Sequence, residues 1–336
     1  MNAKLKRLTT FTKDSLKFLA SPEHNRIRFT GYYPETKEYF QDYYFTSFFD
    51  FKQKPDLSSV LPTIEFFSVW NNVRSKAEKS KAKIKVFFTG ECVHSEVFKE
   101  FNDFEDHFLN IVDLALGFDY INNKKYIRYP LWVLYLFDQP EFSKDKIKQR
   151  IDCINENFAN LVLSRLKTKD CSIIARHDKN GIRSSICNCV EKAGLTIYAA
   201  GTWNHNDDSL WNEFANDKQK YLEQFRYAVC PENYDYDGYV TEKLFQSFLS
   251  GCIPIYYGSN NAPEPQVVNP NAVLFYDKDK PEELSQKLKD LQDNPKKIEE
   301  IARQKPLKDS AVDFIYELNK KTKDLCTEIA NSKGIL

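Results

Sequence analysis

The chain has 336 residues, 42% of them hydrophobic, with 48 basic side chains balanced by 48 acidic ones. That length and apolar content can bury a large core and suit two domains, while a formal net charge of +0 supplies no global field to draw nucleic acid. Any anion the protein binds must therefore be met locally, by a concentrated site.

The opening stretch, MNAKLKRLTTFTKDSLKFLA, is basic but lacks the continuous apolar centre of a secretory signal. The longest apolar run, Tyr129 to Phe137, is a core strand or helix segment and falls well short of the roughly 20 residues of a membrane helix. Both features predict a cytoplasmic protein. Leu5, Leu8, Phe11, Leu16 and Phe18 leave room for a weakly amphipathic helix lying peripherally on the inner face of a membrane.

Short apolar, β-branched or aromatic runs then alternate with longer helical patterns: Arg26 to Tyr33, Thr63 to Trp70, Ile84 to Gly90 and Leu114 to Tyr120. This alternation predicts parallel strands covered by helices. After a polar stretch from Arg150 to Lys169 the pattern resumes at Cys171 to Ala175, Leu195 to Gly201, Tyr227 to Glu232, Ile253 to Ser259 and Ala272 to Asp277. The expected organisation is two α/β domains in tandem, residues 1–155 and 156–310. Pro281 to Gln304 reads as a solvated helical pair broken at Asn294-Pro295. Ala311 to Ile329 reads as an amphipathic helix, within a C-terminal stretch of about 311–336, able to cross back onto the first domain.

Eight cysteines stand at 92, 153, 171, 187, 189, 230, 252 and 326, without a CxxC pair or histidine spacing suited to zinc. Reduced, structural thiols are expected. Cys187 and Cys189, the only close pair, point in different directions if helical. No Asn-x-Ser/Thr acceptor occurs, which agrees with a chain that stays out of the secretory pathway.

The stretch GYVTEKLFQSFLSGCIPIYYG, Gly238 to Gly258, carries the chemistry. Thr241 is placed to cap a helix whose apolar face is Leu244, Phe245, Phe248 and Leu249, with Gly251 at its end. Glu242 and Lys243 then lie in the first turn, where the dipole and a lysine together suit a phosphate. An ordinary surface turn would share these features, since Glu is common in first turns.

Glu232-Asn233, Tyr239-Val240-Thr241-Glu242-Lys243, Gly251 and Ile253-Pro254-Ile255-Tyr256-Tyr257-Gly258 resemble the donor-binding signature of the α1,3/4-fucosyltransferase family, glycosyltransferase family 10, in its soluble bacterial form. FFTGE (Phe87 to Glu91), Asp113, LGFD (Leu116 to Asp119) and YIRYPLW (Tyr126 to Trp132) resemble its acceptor-side region, and together the matches run from about Arg26 to Phe314. The resemblance implies a GT-B glycosyltransferase, with two Rossmann-like domains facing across a cleft. It would move L-fucose from GDP-fucose to a hydroxyl of an N-acetylglucosamine-containing oligosaccharide acceptor, α1,3 and with inversion.

The roles that follow are what the resemblance implies. Glu91 matches the family's general base, although on the residues alone a Glu after a strand is more often a solvated loop residue. Lys243 and Arg183 match contacts to the pyrophosphate; Tyr239 and Glu242 match contacts to the donor's sugar, and Asn233 is a further donor-site candidate. Glu232, Tyr256 and Arg128 could contribute or could simply pack. Asp235-Tyr236-Asp237 imitates the DxD motif of metal-dependent transferases but falls in a variable stretch, so no divalent metal or other cofactor is expected to be required.

Three departures stand against the match. TGEN of the family is Thr89-Gly90-Glu91-Cys92 here, the approach to Arg183 reads ARHDKNGIRSS, and Asp235 and Asp237 replace neutral residues. His177 reads as an exposed loop histidine. The rival readings are a related inverting transferase using another GDP-deoxyhexose or a surface-polysaccharide acceptor, and a binder of glycan or nucleotide without catalysis. Acceptor choice is assigned to loops such as Tyr32 to Tyr44, whose aromatics suit sugar faces.

Overall fold

The computed structural model describes residues 26–32, 42–50 and 62–335. The basic N-terminal stretch with Leu5, Leu8, Phe11, Leu16 and Phe18 lies outside the described residues, as do residues 33–41 of the aromatic loop. Two five-stranded parallel sheets organise the rest.

The first sheet runs β1 (Ile27–Thr30), β2 (Ile64–Phe67), β3 (Ile84–Phe88), β4 (Leu114–Gly117) and β5 (Tyr126–Arg128), in that spatial order. The second comprises β6 (Lys169–Ile173), β7 (Ile197–Ala199), β8 (Phe225–Val229), β9 (Ile253–Tyr256) and β10 (Leu274–Phe275), ordered β10-β9-β8-β6-β7. β2 and β9 are buried at every position, which is why parallel strands read as unbroken apolar runs. Two parallel sheets joined in this way make the GT-B architecture.

The helices are α1 (Val73–Lys79), α2 (Val133–Leu136), α3 (Lys144–Val162), α4 (Ile182–Lys192), α5 (Ser209–Asn212), α6 (Lys218–Leu222), α7 (Glu242–Leu249), α8 (Pro281–Asp293), α9 (Pro295–Ala302) and α10 (Ala311–Ser332). Two expectations need correction. Most of the polar stretch from Arg150 is α3, an amphipathic helix capped by Ser143 and burying Ile147, Ile151, Ile154, Phe158 and Val162 at helical spacing. Position 155/156 thus falls inside a helix, and α3 packs against α7, α9 and α10. Nor is Pro281 to Gln304 simply solvated: α8 buries Leu284, Leu288 and Leu291 and packs on α4.

The core is continuous across both sheets. Trp132, fully buried beside α2, stacks on Phe245 of α7 with centroids 4.4 Å apart. α10 returns to the first sheet's side, packing on the turn Tyr44–Phe48, where the Tyr129 hydroxyl donates to Asn319 Oδ1 at 2.7 Å and lies 2.9 Å from the Tyr44 hydroxyl. Tyr43 and Tyr44 belong to this core and Tyr32 packs against it. Tyr43 and Tyr44 are buried, and all three rings are engaged edge to face with neighbouring aromatics, so they serve the fold.

Arg128 ties the halves together. Its guanidinium donates to Glu264 Oε1 and Oε2 at 2.7 and 3.1 Å, to the Gly238 carbonyl at 3.0 Å and to the Phe118 carbonyl at 2.8 Å. Trp132 Nε1 donates to the same Glu264 oxygen at 2.8 Å. Arg128 is therefore a structural residue, and Glu264 is its counter-ion. Replacing Glu264 by Ala strands a buried cation and is expected to cost about 3–5 kcal/mol of stability, read as a lowered midpoint in urea; an unchanged midpoint would show that the clamp contributes nothing.

Candidate active site

In the second sheet the chain runs out from β6 to β7 and then reverses, so that β8 returns to β6's other side. Loops leaving β6 and β8 therefore diverge to opposite sides and open a crevice at the carboxyl ends of the strands, where open α/β sheets bind ligands. The β6 loop leads into α4 and the β8 loop into α7, so both helices point their N-termini at the crevice.

The two N-termini differ. At α4, Asp178 accepts from the backbone N–H groups of Arg183 and Ser184 at 2.9 and 2.8 Å, filling that end with a carboxylate. What α4 offers the crevice is a side chain: Arg183, 6% exposed, donates from Nη2 to Asn233 Oδ1 at 2.7 Å and from Nη1 to the His177 carbonyl. At α7, Thr241 holds the N-cap position without capping through its side chain. Its hydroxyl and N–H go instead to Glu232, at 2.6 and 2.8 Å. Lys243 Nζ sits 3.2 Å from Glu232 Oε2 and 2.9 Å from Thr241 Oγ1. Glu232 is thus a buried brace for the lysine, and its carboxylate is consumed by structure. Tyr256, fully buried, reaches that carboxylate at 3.4 Å and also packs structurally.

Glu91 enters from the other sheet. β3 ends at Phe88, the Thr89 hydroxyl accepts from the Glu91 N–H at 3.0 Å, and the turn carries the carboxylate into the cleft. One cavity of about 960 Å³ is lined by Glu91, Arg183, Asn233, Tyr239, Glu242 and Lys243 together. Its volume suits a nucleotide-sized ligand. From the first sheet's side come also Trp70, Gly90, Phe98, Glu100, Phe101 and Leu131.

The charges couple across this space. Burial pushes the Glu91 carboxyl above the usual carboxylate range; the Lys243 ammonium opposes the shift, and Glu242 and Glu232 add to it. Burial works against the Lys243 ammonium, but Glu232 and Glu242 outweigh it and raise its pKa. Tyr239 is buried against Phe118, with ring centroids 5.0 Å apart, and burial together with Glu91 and Glu232 drives its phenol well above the ordinary value, keeping it a neutral donor. The cavity therefore sets a basic carboxylate on one wall opposite two cations on the other.

Asp235 and Asp237 are not among the lining residues. Asp235 Oδ1 accepts from the Asn260 N–H at 2.8 Å and Asp237 is exposed, so the two carboxylates turn away from the pyrophosphate candidates, relieving the repulsion their charges would cause. His177 is corrected: it is half-buried, lines the cavity, and packs on Phe98 at 4.9 Å. Burial, then Arg183 and Lys179, hold its pKa below the usual imidazole value, leaving it neutral beside Arg183. Trp211, 60% exposed, His205 and Lys218 line the far end of the cavity and carry no signal in the motifs. All eight cysteines are free, seven of them buried.

Residues 163–333 match the family described as glycosyltransferase family 10 (fucosyltransferase) C-term, and residues 27–135 match the alpha-(1,3)-fucosyltransferase FucT N-terminal domain. The chain is 27% identical over 195 residues to the alpha-(1,3)-fucosyltransferase FucT of Helicobacter pylori, a match covering 52% of this chain and 37% of that protein. It spans little more than a third of that relative's length, and less of the other curated relatives it matches. A crystal structure of an alpha1,3-fucosyltransferase superposes with a TM-score of 0.62 at 18% identity, covering 91% of each chain. Another, with GDP-fucose, gives 0.57 at 19% identity over 90% of this chain and 91% of that one.

Proposed function

The chain belongs to glycosyltransferase family 10, and on that premise we propose that it transfers L-fucose from GDP-fucose to a hydroxyl of an N-acetylglucosamine-containing glycan, α1,3 and with inversion. The observation that carries this reading is the placement of Glu91 across one cavity from Arg183 and Lys243. The donor lies on the β6–β10 unit and the acceptor against the β1–β5 unit.

In a single displacement the acceptor oxygen forms a bond to the anomeric carbon while the bond from that carbon to the GDP oxygen breaks. Glu91 takes the acceptor's proton as its oxygen attacks. The electron pair leaves with GDP, whose departing phosphate gains charge, and Lys243 and Arg183 stabilise it there. Asn233 holds the Arg183 guanidinium at 2.7 Å and so aims it. Glu242 and Tyr239 flank the sugar, the carboxylate favouring positive charge that develops at the anomeric carbon. Two protein cations do what a divalent ion would otherwise do at the pyrophosphate, so the donor step is metal-independent.

The test is GDP release from GDP-fucose with and without N-acetyllactosamine, without added Mg²⁺ or Mn²⁺, for the native chain. Acceptor-dependent release is the expected result. GDP binding without release would overturn the donor or acceptor assignment, and release only with added Mg²⁺ or Mn²⁺ would overturn the metal-independent donor step. No helix among the described residues is long and apolar enough to cross a membrane.

A further inference from the structure

Behind the Glu91 loop, outside the cavity lining, three side chains converge that the transfer reaction does not use. His94 Nε2 and His107 Nε2 lie 2.8 and 2.6 Å from the same oxygen of Asp119, Oδ2. We propose that His94, His107 and Asp119 form a binding site for one divalent transition-metal ion of the zinc class, which anchors the loop carrying Glu91.

The donor set is the first argument. Two imidazoles and a carboxylate suit zinc and its neighbours, whereas magnesium and calcium prefer all-oxygen shells. The three ligand atoms lie within 4.8 Å of one another. With bonds of about 2.0–2.2 Å to the ion, ligand atoms stand roughly 3.3 Å apart, so each imidazole nitrogen must back away from Asp119 Oδ2 by some tenths of an ångström, from 2.8 and 2.6 Å. His107 and Asp119 are buried, while His94 is 22% exposed through its side chain and gives the ion an entrance and a fourth position for water.

The second argument is independent of the donor set. His107 is fully buried, yet its other ring nitrogen, Nδ1, has no hydrogen-bond partner, and neither has the buried hydroxyl of Tyr126. The two rings meet edge to face with centroids 5.0 Å apart. Both polar atoms face Gly117, where a Cβ would lie 3.0 Å from the Tyr126 oxygen and 3.1 Å from His107 Nδ1. An ion on Nε2 requires the proton on Nδ1, and a metal-bound histidine characteristically donates that proton to an outer partner. The Tyr126 oxygen, across the space that Gly117 keeps open, would take that proton once an ion on Nε2 fixes it on Nδ1. His107 also holds a left-handed backbone at φ 47°, a strained conformation that persists only where the surroundings fix it.

The ion would act by position. His94 follows Glu91 by three residues, and its ring stacks on Tyr236 at 4.5 Å, in the β8 loop that continues to Tyr239. A ligated His94 holds both loops in register without contacting the donor.

The full chain, carrying Cys153→Ser to remove the exposed thiol and stripped of metal by EDTA, is titrated with Co²⁺ while visible absorption is recorded, then with Zn²⁺ in competition. One saturable equivalent, displaced by Zn²⁺, is expected. His94→Ala, at the partly exposed ligand, is expected to weaken binding more than about tenfold, and Tyr126→Phe by about tenfold to a hundredfold through the outer partner. Circular dichroism confirms that each variant is folded. Absence of saturable binding in the parent chain, or binding unchanged in His94→Ala, overturns the proposal, whatever the transferase assay shows.

Discussion

Glu91→Gln is expected to lower kcat/KM for acceptor-dependent GDP release by about 10² to 10⁴-fold, the usual contribution of a positioned general base. The amide fills the same space and cannot take the acceptor's proton. Binding of GDP should survive, because Arg183, Asn233 and Lys243 belong to the other sheet. A variant that keeps more than half the native rate would remove Glu91 from the mechanism.

The raised pKa of Glu91 adds two signatures with definite signs. A base must be ionised, so activity should fall with acid at a pH above that of an ordinary carboxylate. For stability, a carboxyl whose pKa is raised on folding binds more protons folded than unfolded between its two pKa values. Stability is therefore lost as pH rises through that window, and the full penalty stands above the raised, folded pKa. Glu91→Gln removes the penalty, so its thermal midpoint should exceed the native one at neutral pH and converge with it in acid. An inactive variant that is also more stable would identify a residue held in place for chemistry at the fold's expense.

What the sequence revealed follows from the physics of each element. β2 and β9 announced themselves because strands buried on both faces need unbroken apolar runs. α3 hid because its apolar residues, Ile147, Ile151, Ile154 and Phe158, are one in three or four among charges, so composition reads polar where spacing reads helical. Glu264 could not be read at all. It matters through Arg128, 136 residues earlier, and no local pattern marks a counter-ion across that distance. His177 looked exposed because Phe98, which covers it, comes from the other sheet. Arg183 and Lys243, by contrast, were singled out through motif resemblance, and the reversal between β6 and β8 supplies the physical reason they line one cavity.

Lys243→Ala is the second large effect expected, with kcat reduced by about 10² to 10³-fold, as when one preorganised charge-stabilising group is removed. Its consequences separate into chemistry, coupling and fold. The chemical loss should be greatest for GDP-fucose and smaller for a donor whose leaving group develops less charge. The coupling appears in the pH profile: Lys243 holds the Glu91 pKa down against burial, so its loss should move the acid limb to still higher pH. An unmoved limb would show that the two groups do not share a field. The fold pays because Glu232, fully buried, keeps the Thr241 N–H and hydroxyl but loses its cation. Severing such a pair is expected to cost about 3 kcal/mol. Adding Glu232→Gln to Lys243→Ala removes the stranded charge and should recover most of that stability while leaving kcat low. Recovery of the rate along with the stability would mean that Lys243 serves only to brace α7, and that the charge at the pyrophosphate comes from Arg183 alone.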